Sequence, residues 1–325
     1  MSVPFAILRL VLAMVVALDA TLAAAAPGDL HLVARVDMPG VEGRLDHLAF
    51  AQRDNLLFVA GLGADTVQVI DVGSSRPVAQ LPASEPQGLA FSAALHRVYV
   101  ANGHAGTVEA FEGSTRVAIA RNLPDADNLR LDDRSGLLYV GYGRAIAALD
   151  VRTLAVARRF ALPGHPEAFE VSGDRVYVNV PAARAVIVLE QEAGTTARTW
   201  HVAPAGGNFP MAIDPAARRL FIATRQPAGV LVFDMDSGQR VAELQTCSDA
   251  DDLFLGGKDQ VLAICGDGHV DVIRAGAPNH YEVSRRLATA VGARTGLFVA
   301  ASRRLFVAAP AREGRQAAVL VYDVE

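Results

Sequence analysis

Several marks of common protein classes are missing from this sequence, and each absence removes a function. No run of lysine or arginine occurs, and 35 acidic residues outnumber 30 basic ones, so the cationic footprint that nucleic acid requires is not there. Nucleic acid is therefore not an expected partner. There is no GxSxG elbow, HExxH pair or P-loop, and two near-matches to a dinucleotide fingerprint, "GLGADT" from Gly61 and "GDGHVD" from Gly266, both break it. No nucleotide cofactor is expected. Cysteine is scarce: Cys247 and Cys265 stand 18 residues apart, without CxxC spacing.

An apolar run long enough for a stable membrane anchor is also missing. "LVLAMVVAL" (Leu10–Leu18), behind Arg9 and ended by Asp19, is well short of the roughly 20 residues a bilayer needs. With small residues at Ala23 to Ala26 it reads as a secretory signal over residues 1–26, cleaved near Ala25 or Ala26. The expected location is periplasmic or secreted, with residues 27–325 as one domain. In an oxidising compartment Cys247 and Cys265 are expected to pair, stabilising by about 3 kcal/mol in the chain-entropy model. Free or metal-bound thiols are the alternative.

What is present is a repeat. The segments "LLFVAG", "RVYVAN", "LLYVGY", "RVYVNV", "RLFIAT", "VLAICG" and "RLFVAA" share one pattern. With Phe58, Tyr99, Tyr139, Tyr177, Phe221, Ala263 and Phe306 as equivalents, the steps are 41, 40, 38, 44, 42 and 43 residues. Around each lie an earlier apolar run ("HLAF", "GLAF"), a later alternating one ("TVQVIDV", "GVLVFDM") and a last one ("RVAIARNL"). Period-two alternation with β-branched residues, punctuated by Gly, Asp and Ser turns, marks short antiparallel strands. Four strands per unit of this length is a propeller blade. The last unit stops at a third strand, "AAVLVYDVE", while "HLVARVDMPG" precedes the first unit and reads as a fourth strand. The expected fold is an all-β, seven-bladed propeller whose last blade is completed by the amino-terminal strand. Trp200, in a fourth strand, is expected to pack between blades.

"RVYVAN", "LLYVGY" and "RVYVNV", each followed by a turn and a "VxVID"-like strand, resemble the YVTN-repeat β-propellers over essentially the whole mature chain. That resemblance implies seven blades and export, with no established activity. The similar gluconolactonase-like propellers are six-bladed, metal-dependent hydrolases.

In a propeller the innermost strands converge on an axial channel, so residues leading into them share one mouth. Twelve positions before the aromatic marker stand Asp46, Gln87, Asp127, Asp251 and Arg294, and in the two remaining units the equivalents are near Glu167 and Asn208. "DADN" (Asp125–Asn128) matches "DADD" (Asp249–Asp252) at a separation of 124 residues, which places the two clusters across the mouth from each other. With His47, Asn128, His165 and Asp252 beside them, these residues make an expected acidic funnel. Crowded carboxylates need a proton, an arginine or a metal ion. Oxygen donors favour Ca, Mg or Mn, and histidine would turn the site toward Zn or iron. Asp127, Glu167 and Asp251 are the candidate metal ligands and Arg294 an internal counter-ion or anion clamp. "DADDLFLGGKDQ" is not an EF-hand loop, since Phe254 and Gln260 stand where Gly and Glu are needed.

Against a functional funnel stands ordinary loop chemistry, in which Asp125 and Asp249 bond their own turns. Gly206 and Gly207 either allow a tight turn or admit a ligand to the backbone; Phe209 reads as packing. The expected function is capture of a metal ion, a small polar molecule or a protein loop in the funnel, by a monomer. The alternatives are a metal-dependent hydrolase of lactonase type, with His47 as candidate base, and a protein-interaction platform. A serine hydrolase has no nucleophile, because Ser74 and Ser75 fall in a turn far from the mouth.

Overall fold

A computed structural model describes residues 30–257 and 259–325; the expected signal segment lies outside the described residues. The period-two segments form seven four-stranded antiparallel sheets, each in simple meander order. Blade one runs Leu48–Ala51, Leu56–Gly61, Thr66–Asp71 and Arg76–Pro82, from the axis outward. The five following blades repeat this order. Blade seven takes Gly296–Val299, Arg304–Ala309 and Ala317–Val324 from the carboxy-terminal end and closes with Leu30–Met38 as its outermost strand. Its register runs from Leu30 opposite Val324 to Met38 opposite Ala317.

The closing strand is a true fourth strand by a second criterion. Every blade carries a register shift between its third and fourth strands, as at Val69/Ile70, Ala110/Phe111 and Val188/Leu189. The closing pair carries one too, between Leu32 and Ala34. Such bulges add local twist to an edge, and an exposed, bent edge is a poor template for further strands.

Cohesion between blades comes from the aromatic markers. Tyr99, Tyr139 and Phe306 are at most 1% exposed, each in an apolar cluster shared with the next blade. The hydroxyls of Tyr99 and Tyr139 donate at 2.7 Å to the Val151 carbonyl and to Gln191, in turns of the following blades. A tyrosine here joins apolar burial to one satisfied polar tip. Trp200 packs between Tyr177 and Phe233, with ring centroids 5.5 and 5.9 Å away, so it is an inter-blade residue as expected.

The structure moves one marker. In blade six the residue that packs toward the next blade is Leu262, while Ala263 faces the previous one. The left-handed turn residue immediately before the second strand agrees: Asn55 precedes Leu56, Arg303 precedes Arg304, and Asp259 precedes Gln260. Leu262, third in its strand like Phe58 and Phe306, is the equivalent. Leucine in place of an aromatic residue hid the shift.

Candidate functional site

Within a blade the first strand leaves the mouth and the second returns to it, so the mouth is built from two sets of residues: those leading into first strands and those ending second strands. The first set keeps a fixed register. The backbone N–H groups of Asp46, Asp127 and Glu167 donate to the carbonyls of Ala60, Gly141 and Asn179 at 2.8–2.9 Å, each two residues past an aromatic marker. Asp251 takes the same place in blade six once Leu262 is the marker. These four acids line one cavity of about 20 Å³, together with Arg44, His47, Asn128, Ala168 and Phe209.

In blade five the expected residue was Asn208, and the structure puts Phe209 there instead. A register irregularity between Asn208 and Met211 displaces the count by one. Asn208 turns inward, donating to Asn179 Oδ1 and the Ala185 carbonyl at 3.0 Å, and does not line the cavity. Phe209 lines it, and the Arg225 guanidinium stacks on its ring at 3.7 Å. Gly207, at φ +64°, lies inside the strand Gly206–Asp214, where a Cβ would meet Arg225 at 3.2 Å. Gln87, His165, Asp252 and Arg294 border the mouth without lining the cavity. Gln87 lies so close to Gly103 that a Cβ there would meet its amide nitrogen at 2.3 Å.

Two arginines that the sequence pattern did not single out supply part of the counter-charge. Arg44 reaches Asp46 at 3.0 Å and Asp251 at 3.6 Å. Arg225 reaches Asp251 at 2.6 Å and Asp249 at 3.2 Å. Arg225 ends a second strand, four residues past Phe221, and so belongs to the set that an alignment of first-strand approaches does not sample. A charge directly after a "RLFIAT"-type strand is the signal that finds it.

The carboxylates of "DADD" have three different roles. Asp249, like Asp125, sits at positive φ (59° and 56°), a turn conformation that Asp tolerates. Its carboxylate also holds Arg294 at 3.2 Å, so Arg294 is an internal counter-ion. Asp251 faces the cavity. Asp252 accepts the Gly296 N–H at 2.8 Å and ties blade six to blade seven. Its other oxygen is 3.6 Å from His47 Nδ1, whose Nε2 is 3.6 Å from Asp46. On the opposite side His165 lies 3.2 Å from Asp125 and 3.6 Å from Asp127, with Nδ1 3.0 Å from the Gly143 carbonyl.

Burial and neighbours shift the titrations. Desolvation opposes the charge on His47, but Asp252 and Asp46 outweigh it and hold the imidazole up at about 10; His165 is held at about 9 by Asp127 and Asp125 against the same opposing burial. Burial pushes Glu167 and Asp251 up to about 7, with Asp127 adding to the rise at Glu167 and Arg225 restraining it at Asp251. Burial likewise raises Asp46. Held at about 10, His47 carries its proton at neutral pH.

Among the described residues, the one group of three His, Cys, Asp or Glu ligand atoms within 4.8 Å of one another is Cys247, Cys265 and Asp267. Those cysteines form a disulfide with Cα atoms 5.8 Å apart, which removes their thiolates. Asp127, Glu167 and Asp251 line one cavity but do not form such a group of three. What the cavity presents is under-bonded acceptors: both oxygens of Asp46 and Oδ1 of Asn128 are buried with no hydrogen-bond partner, Asp46 being met only by the ion pairs of Arg44 at 3.0 Å and His47 at 3.6 Å.

No model of a known protein family matches the chain, and no curated protein matches it. Among solved structures it is similar to a chain of Kuenenia stuttgartiensis hydrazine synthase, at 12% identity and TM-score 0.73 over 84% of this chain and 96% of that one. It is also similar to a chain in the crystal structure of the mitotic checkpoint complex, at 14% identity and TM-score 0.76 over 97% and 98%. At such identities the likeness shows the seven-bladed fold alone, a platform that hosts unrelated functions. Among the described residues no helix is long and apolar enough to cross a membrane.

Proposed function

We propose that this is an exported binding propeller of the YVTN-repeat kind, whose mouth takes up a small cationic, hydrogen-donor-rich group, an ammonium group being the simplest. The observation that carries the reading is the set of orphaned acceptors. Asp46 is 1% and Asn128 3% exposed, and their unpartnered oxygens line a cavity of about 20 Å³, room for one water or one small polar group. Buried acceptors without donors are costly and uncommon, so a ligand that supplies N–H groups gains what the empty cavity forgoes. Charge supports the same sign. Seven carboxyl groups (Asp46, Asp125, Asp127, Glu167, Asp249, Asp251, Asp252) meet three guanidiniums and the imidazoles of His47 and His165, an acidic excess once Glu167 and Asp251 ionise. Export is supported by the Leu10–Leu18 run and the disulfide.

The test is a thermal-shift titration of wild type and Asp46→Asn with methylammonium chloride, tetramethylammonium chloride, CaCl₂ and ZnCl₂. Methylammonium is expected to raise the Tm of wild type and not of the variant, while tetramethylammonium, which has the charge without the donors, does nothing. Equal responses of the two proteins, or none, remove the reading and leave the acceptors to an ordered water. A response confined to Ca²⁺ or Zn²⁺ replaces it with a metal site, for which lactone and ester hydrolysis with and without chelator is the next assay.

A further inference from the structure

Past His47 and Asp252 the axis changes character. His47 lines both the mouth cavity and a larger one of about 370 Å³ that follows the inner strands, and Asp252 lines the larger one beside it; that volume is within the size range of small-molecule sites. Its walls carry Leu48, Leu89, Leu129, Met211, Leu253 and Leu297, from six different blades. Leu48, Leu89 and Leu297 are shared in turn with an open apolar hollow of about 310 Å³ at the far end, where Phe50, Phe91 and Phe298 stand half-buried. The charged pair on this path, Arg130 and Glu170, is satisfied internally: the two bond at 2.9 Å, and the guanidinium also donates to the Leu129 carbonyl and lies over Phe169 at 5.7 Å. The axis therefore runs from a charged mouth with orphaned acceptors, through a leucine-lined middle, to an aromatic exit.

We propose that the channel is a tail site, and that the ligand is an amphiphilic amine whose ammonium head sits against Asp46 and Asn128 while its hydrocarbon chain lies along the axis past His47 and Asp252. This rests on the reading of the mouth given above and adds the class of molecule. Charge complementarity fixes the direction: a cationic head goes to the acid-rich end, and the apolar tail has no charged wall left unpaired along its course. The inner strands set the reach, since a four-residue strand such as Leu48–Ala51 spans about 13 Å.

The experiment is isothermal titration of the whole mature protein with methyl-, butyl-, hexyl- and octylammonium chloride, and with sodium octyl sulfate, below their aggregation thresholds. Affinity is expected to rise about three- to fourfold per methylene until the channel is filled, with the octyl sulfate much weaker than octylammonium. In Leu297→Asn, which places an amide in the tail path away from the mouth, the chain-length slope is expected to fall while methylammonium affinity stays as in wild type. A flat chain-length profile with methylammonium still bound overturns the tail site and leaves the mouth reading standing. Equal affinity for octylammonium and octyl sulfate also overturns the tail site, as unspecific hydrophobic adsorption. Failure of every amine, methylammonium included, overturns the mouth reading itself. The wild-type chain-length series decides the matter even where the variant does not fold.

Discussion

At the scale of single residues the mouth is a set of charges held at compromise. Glu167 and Asp251 are both raised to about 7, from ordinary values of 4.5 and 3.8, so the folded protein holds protons there that the unfolded chain releases. Stability from these groups is fully present below the unfolded values and is lost as pH rises through about 7. His47, raised from 6.5 to about 10, acts in the same direction over a higher window, full below 6.5 and lost toward 10. Calorimetry from pH 4 to 10 is expected to show Tm falling with pH, and Glu167→Gln to remove part of the fall below pH 7.5 while leaving the upper part. A bound cation has the opposite preference, favouring ionised Glu167 and Asp251. Methylammonium affinity is therefore expected to increase between pH 6 and pH 8, by up to about tenfold for each carboxyl that must ionise; a fall over that range would place the cation elsewhere.

Elements decide which of these residues were visible in the sequence. Asp46, Asp127 and Glu167 were legible because they enter first strands at a regular rung, where the hydrogen-bond ladder fixes their distance from an aromatic residue. The rung failed where the ladder is irregular: the disturbance between Asn208 and Met211 moved the mouth position to Phe209, and the substitution of Leu262 for an aromatic displaced the marker to Ala263. Arg44 and Arg225 escaped because a repeat pattern shows what recurs, and counter-charges need not. Blade six carries a further constraint, since the Cys247–Cys265 bond and the bond from the Cys247 N–H to Asp271 at 2.7 Å clamp the approach that bears Asp249 and Asp251. Cys247→Ser with Cys265→Ser is expected to lower stability by about 3 kcal/mol in urea titration, and to weaken methylammonium binding at pH values where the fold remains intact. Unchanged binding in a fully folded double variant would show that the clamp serves the fold alone.

For the whole molecule, the number of blades and the manner of closure were readable from spacing and from the strand missing at one end, because a last unit of three strands is completed by the spare strand ahead of the first unit. The acids of the mouth were readable, but their pairing with Arg44 and Arg225 was not, since it depends on charges brought together across blades far apart in sequence. Closure has its own test. A chain beginning at Pro39 lacks Leu30, Val36 and Met38, all at most 5% exposed, and leaves Ala317–Val324 as an open edge. It is expected to elute as aggregates in size-exclusion chromatography, and a monodisperse, thermally unchanged product would contradict the role given to that strand.

The clasp joining residues 30–38 to residues 317–324 also has a temporal side. Synthesis delivers residues 30–38 well before residues 317–324, and loop closure over such a span is slow compared with pairing inside a blade. Individual hairpins can form during synthesis, but the ring stays a spiral until the carboxy-terminal strand is released. Until residues 317–324 emerge, the nascent polypeptide is thus an unsealed coil.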